Sequence, residues 1–159
     1  MNAELDAALV KDFPGLYRNR HGDMRTTAMC WGFDVGDGWH NIIRELSEAI
    51  THATGKAWSG AAAKSPDHYF QCGFDVVAVQ VKEKFGGLRF YYHTEPKPGV
   101  SEEMIDGDYA KEVSGRVYGM VDLAEHLSYV TCESCGSPGE INDGGWLSVR
   151  CGVCRRADG

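Results

Sequence analysis

The sequence predicts an α+β fold, with helices packed on a small antiparallel β-hairpin or sheet and a four-cysteine ribbon at its C-terminal end. Three observations predict it. Residues 39–53 and 108–128 repeat apolar side chains every three or four positions, the spacing of helices that bury one face. Between them, 75–93 holds two runs of alternating apolar and polar residues joined by a segment containing Gly86-Gly87, the pattern of a hairpin. Four of the six cysteines stand as two Cys-x-x-Cys pairs near the end. The order of elements lacks the strand-helix alternation that builds a doubly wound sheet.

Leu5, Ala8, Leu9 and Val10 give 2–12 a short helical pattern that Phe13-Pro14-Gly15 stops. Residues 16–38 are dense in Gly, Asp, Arg and aromatics without a sustained period, and a hairpin or irregular loop is expected around 26–33. Asp37 is placed to cap the next helix, whose stripe is Trp39, Ile42, Ile43, Leu46, Ala49, Ile50 and Ala53, ending near Gly55. Residues 56–66, rich in Ala, Gly and Ser, read as a mobile connection. On the first strand Val77, Val79 and Val81 share a face, and on the second Phe90 and Tyr92 oppose Arg89 and Tyr91. Residues 94–107 read as a loop. Asp108 then opens a long helix striped by Val113, Val117, Met120, Val121, Ala124 and Leu127 up to Ser128.

Residues 131–154 read TCESCGSPGEINDGGWLSVRCGVC, in which Cys132 and Cys135 are separated by fifteen residues from Cys151 and Cys154. This is the spacing of a zinc ribbon, where two tight knuckles bring four thiolates around one tetrahedral ion. Gly136 and Gly152 suit the turns of such knuckles. Four thiolates fill the coordination sphere, so the expected Zn²⁺ is structural and not catalytic, and iron fits the same donors. The chain divides into an α+β core, 1–129, and the ribbon, 130–159. Because the helical stripes do not involve the ribbon, loss of zinc is expected to leave the long helices largely folded.

Hydrophobic residues make up 43% and charged residues 25% of the 159 positions, a globular composition. No apolar run approaches the roughly 20 residues of a membrane span. The first twelve residues carry Glu4, Asp6 and Asp12 instead of a basic and then apolar leader, so a protein neither secreted nor membrane-embedded is expected. Paired cysteines outside a disulfide framework point to a reducing compartment, the cytoplasm. The formal net charge of −7 becomes about −9 once four thiolates hold one Zn²⁺. Such a surface disfavours phosphate, so a protein partner or a small ligand is expected ahead of nucleic acid.

GDMRTTAMCWGFDVGDGWHNIIREL (22–46), VAVQVKEKFGGLRFYY (77–92) and the terminal ribbon together resemble uncharacterised zinc-ribbon proteins of tailed phages and prophages. The resemblance spans most of the chain and carries no reaction or catalytic residue. What it implies is an accessory protein acting in a bacterial cytoplasm on a host or phage macromolecule, with inhibition of a defence system among its roles.

The remaining candidates divide into three groups. Arg18, Arg20, His21, Arg25 and Trp31, joined by Lys82, Lys84 and Arg89 if the segments meet, offer guanidinium forks and an aromatic platform to a phosphate or nucleotide; the competing reading is solvated charge balanced by Asp23, Asp34 and Glu83. Arg150, Arg155 and Arg156 are the phosphate contacts of an alternative nucleic-acid-binding ribbon. The acidic group Glu102, Glu103, Asp106 and Asp108, with Trp146 as an aromatic anchor, offers contacts to a protein partner. Cys30 with His21, and Cys72 with His68, lie in no nucleophile motif, and Asp34 with Asp37 supply too few oxygens for a calcium loop. No catalytic residue is assigned. The segment 30–39, with two tryptophans and three glycines, frames either a pocket or a tight turn.

Overall fold

The computed structural model describes residues 1–55, 72–100, 107–142 and 145–157. The connection expected over 56–66 lies outside them. Helix α1 (Ala3–Asp12) starts at Asn2, whose side-chain oxygen accepts the Glu4 and Leu5 backbone N–H groups at 3.0 Å each.

Of the hairpin or irregular loop expected around 26–33, the irregular form is the one found. Thr27 accepts the Met29 N–H through its hydroxyl, the Cys30 thiol donates to the Thr27 carbonyl, and these local bonds draw Ala28–Trp31 into a 3₁₀ turn. Gly32, at φ +82°, then redirects the chain into the two-residue strand β1 (Phe33–Asp34). Asp37 does not cap the following helix either. It opens a second 3₁₀ turn, Asp37–Trp39, and its carboxylate accepts the backbone and side-chain amides of Asn2 at 2.7 and 2.8 Å. Those amide bonds hold its pKa below the usual carboxylate value. Helix α2 (His40–Ala53) therefore starts from Trp39, and it buries Ile43, Leu46, Ser47 and Ile50.

Strand β2 (Phe74–Lys84) is central in a sheet of order β1-β2-β3, parallel to β1 and antiparallel to β3 (Gly87–Pro96). The alternation expected through Val77, Val79 and Val81 is broken by a register shift between Ala78 and Gln80. The cause is on the other side of the strand: Ala78 donates its N–H to Leu16 at 2.9 Å and the Val79 carbonyl receives the Thr27 hydroxyl. Val77 and Val81 are buried and Val79 is not. Strand β3 runs past 93 into the stretch read as loop, because Thr94 and Glu95 pair with Val76 and Asp75 and Arg18 bridges Asp75 to Glu95.

Helix α3 (Asp108–Ser128) packs on α2 and lies along β3, burying Ala110, Val113, Val117, Val121 and Ala124. Leu127, expected on that stripe, faces out. Side chains of α3 cover the edge of the sheet: Ser128 Oγ accepts the Leu88 N–H at 2.8 Å and Glu125 Oε1 the Phe90 N–H at 3.0 Å. Those two amides of the edge strand are thereby withdrawn from pairing with another chain.

The centre of the core is Tyr17, whose ring meets Phe33 edge-on at 4.8 Å and Phe90 at 6.5 Å. Ser47 donates to the Ile43 carbonyl, so the Tyr17 hydroxyl is the donor in their 2.6 Å bond. Burial pushes the phenol pKa well up, with the Ser47 bond opposing it. Tyr17→Phe is expected to cost about 0.5–1.5 kcal/mol, the net worth of one such bond, read as a lower urea midpoint at unchanged m-value.

Candidate metal centre

The C-terminal segment builds its site from two knuckles. In the first, Gly136 donates its N–H to the Cys132 carbonyl and Cys132 donates to Ser137, both at 2.8 Å, with Gly136 at φ +77°. In the second, β4 (Glu140–Ile141) pairs with β5 (Val149–Arg150), which delivers Cys151 to the start of helix α4 (Gly152–Ala157). The Cys154 N–H then points at Cys151 Sγ, 3.4 Å away.

The sulfurs of Cys132, Cys135, Cys151 and Cys154 all lie within 4.8 Å of one another. For sulfurs arranged tetrahedrally about an ion at about 2.3 Å, neighbouring sulfurs stand about 3.8 Å apart, and Cys135 Sγ is 3.7 Å from Cys151 Sγ. Hydrogen bonds from the Ser137 side chain and backbone hold the Cys135 thiol down at about 6, while the Cys135 and Cys151 thiols push Cys154 up to about 12. The Cys154 backbone N–H lowers Cys151. Four thiolates this close repel one another unless a cation lies among them, so the cluster can hold one metal ion.

The first knuckle is seated on the core. Gly38 donates to the Glu133 carbonyl at 2.8 Å, Gly36 to Glu133 Oε1 at 2.9 Å, and the Trp39 indole N–H to the Thr131 carbonyl at 2.8 Å. Glu133 Oε2 also pairs with Arg150 at 3.1 Å, which ties the two knuckles together. A Cβ on Gly38 would lie 2.2 Å from the Cys132 carbonyl oxygen and 2.4 Å from the Gly136 nitrogen. Gly36 and Gly38 thus serve as a seat for the metal knuckle, a role missed in the sequence reading. Its one sequence signal is the Gly36-x-Gly38-Trp39 spacing, where two absent side chains flank a tryptophan.

The basic candidates are dispersed. Arg18 pairs with Asp75 and Glu95, Arg20 with Asp6 and the Cys30 carbonyl, Arg25 with Asp23, and Arg89 with Glu125 and the Tyr129 hydroxyl. Arg20, His21 and Trp31 border one cleft of about 540 Å³, and Lys82 and Lys84 another of about 790 Å³. Arg18, Arg25 and Arg89 border neither. Arg155 donates to the Glu140 carbonyl, and Arg156 is exposed on α4. Glu102, Glu103 and Asp106, like His68, fall outside the described residues. Trp146 is 80% exposed on the wall of the larger cleft. The Cys30 thiol is turned to the Thr27 carbonyl and buried Cys72 to those of Thr54 and Phe74.

The hairpin tip carries an unanticipated feature. Its two loop residues are Phe85 and Gly86, at φ +55° and +79°, and Gly87 already belongs to β3. Consecutive positive φ values are those of a type I′ turn, which favours Asn, Asp or Gly at its first position. An L-residue with a Cβ there costs about 1–2 kcal/mol. Phe85 nevertheless occupies it, 67% exposed. Gly86 lies against the ribbon, where a Cβ would come within 2.9 Å of Ile141 Cδ1.

Among the described residues no helix is long and apolar enough to cross a membrane. No family model, no curated protein and no solved structure matches the chain.

Proposed function

We propose that this chain is a zinc-stapled accessory protein of a phage or prophage, without catalysis of its own, that binds a host or phage macromolecule and changes its activity. Inhibition of a bacterial defence system is the role the family resemblance favours. The observation that carries the reading is what the cysteine cage does: its four sulfurs leave no coordination position for water or substrate, and its first knuckle is spent on holding Gly36, Gly38 and Trp39. A metal so enclosed stabilises a surface. The all-sulfur donor set supports zinc, with iron the competitor that visible absorbance would reveal. A nucleotide site over 18–31 draws less support, since its arginines already answer carboxylates.

Protein purified without chelator is expected to carry one zinc per chain by elemental analysis, and no stoichiometric metal would sink the staple. The binding role is tested by capture from host lysate on the intact chain, followed by reconstitution with the purified partner. Turnover of a substrate by the chain alone, lost with the ion, would replace binding with catalysis.

A further inference from the structure

The four cage cysteines are covered unequally. Cys132 is 0% and Cys151 9% exposed, Cys154 is half-buried, and Cys135 lies open within 134–138, a run that is exposed throughout. Gly36 and Gly38 take up the inner side of the first knuckle, and its outer turn is left to solvent. One ligand of the cage is therefore reachable from outside while the sulfurs it would react with stay covered beside it. Cys30 and Cys72 stand outside the cluster.

We infer that Cys135 is a site of reversible oxidation by hydroperoxides, resolved by Cys151, through which the ribbon gives up its ion. The inference rests on the staple reading above. In the loaded cage all four sulfurs are thiolates, the nucleophilic form, so access decides which of them an oxidant meets first. The Cys135 sulfur attacks one oxygen of hydrogen peroxide, the O–O bond breaks, the sulfur becomes a sulfenic acid and hydroxide leaves. Cys151 Sγ stands 3.7 Å from Cys135 Sγ. Its thiolate then attacks the oxidised sulfur, so that an S–S bond forms, the S–O bond breaks and a second hydroxide leaves. Two electrons pass from the two sulfurs to the peroxide, and the approach needed to reach disulfide bonding distance is only about 1.7 Å.

The new bond joins one knuckle to the other and removes two of the four donors. Cys132 and Cys154 alone do not close a tetrahedral cage, so the ion is released. The change is passed to the core, because Glu133 lies between Cys132 and Cys135 and accepts the Gly38 N–H at its carbonyl and the Gly36 N–H at its carboxylate. Oxidation of one exposed sulfur thus loosens the seat of the whole ribbon.

The test starts from the intact chain with its zinc confirmed by elemental analysis. Excess hydrogen peroxide is expected to release that zinc to a chromogenic chelator, and peptide mapping to find a disulfide between Cys135 and Cys151. Dimedone, which captures sulfenic acids, is expected to label Cys135 ahead of the other three, and a thiol reductant with added Zn²⁺ to restore the ion. Cys135→Ser is expected to lose the metal outright, so the decisive variants keep a ligand: Cys135→His and Cys154→His each leave three thiolates and one imidazole. Cys135→His is expected to release zinc at least about tenfold more slowly than the parent, and Cys154→His at close to the parental rate. The inference is overturned if peroxide leaves the zinc bound, if dimedone falls first on another cage cysteine, if the disulfide joins another pair, or if both variants slow release alike. The order of dimedone labelling in the parent decides the matter even where a variant fails to bind metal. A chain that holds zinc and resists peroxide removes this inference and leaves the staple; a chain that never held zinc removes the staple itself.

Discussion

Gly38→Ala is expected to destabilise the chain by about 3 kcal/mol or more, although it adds a single methyl group. The new Cβ would stand 2.2 Å from the Cys132 carbonyl oxygen, 2.4 Å from the Gly136 nitrogen and 2.7 Å from the Cys135 nitrogen. All three are backbone atoms of the metal knuckle and cannot swing aside as a side chain end would. Relief requires lifting the ribbon from its seat, and this breaks the Gly38 bond to Glu133 and loosens those made by Gly36 and Trp39. For a chain of this size the expected loss lowers the thermal midpoint by about 6–12 °C. Gly119→Ala is the control, because a Cβ there meets nothing within 4 Å on α3, and it is expected to gain about 0.5–1 kcal/mol. The same substitution thus changes sign with position. A midpoint for Gly38→Ala within a degree of the parent would mean that the ribbon is not seated on the core.

Removing the ion, by chelator or by Cys135→Ser, is expected to unfold the ribbon and to lower the stability of the core with it. Without the ion nothing bridges the cysteine sulfurs, and the free energy of metal binding in such sites, about 10–16 kcal/mol, is also their folding free energy. The core then loses the acceptors of the Gly36, Gly38 and Trp39 N–H groups, each worth about 1–3 kcal/mol when it is stranded away from water. The stripes of α2 and α3 pack on each other and on the sheet, so helical circular dichroism at room temperature is expected to persist while the thermal midpoint falls by ten degrees or so. Acid should act in the same direction: as pH falls, protons compete with the metal for the same sulfurs, so occupancy is retained at high pH and lost on the acid side. An unchanged midpoint in the metal-free protein would make the ribbon an independent appendage.

How much of this was readable in advance follows from the range of the forces involved. The stripes of α2 and α3, apart from Leu127, the start at Asp108 and the existence of the β2–β3 hairpin follow from local periodicities, and each is where the sequence placed it. The cysteine spacing was legible because a knuckle is a local object, and the four sulfurs meet as expected. What escaped depends on distant partners. Asp37 has every feature of a cap, but Asn2 claims its carboxylate from 35 residues away. Val79 sits in an unbroken alternation, but Leu16 and Thr27 take the backbone groups on either side of its peptide and force the bulge. Arg18, Arg20 and Arg25 are neighbours in the sequence and answer three different carboxylate sites in space. Gly36 and Gly38 carried the most information and were the hardest to read, since an absent side chain names no partner.

The bonds that seat the ribbon join Trp39 to Thr131 and Gly36 to Glu133, across 92 and 97 residues. At a synthesis rate of about 5–20 residues per second, the acceptors leave the ribosome about 5–20 seconds after the donors. Throughout that interval the nascent chain carries an unanswered indole and two bare amides, and its closing step waits for both the last segment and an ion from outside. The supply of the bound ion is therefore expected to set how many copies finish maturing, and not how well each finished copy works.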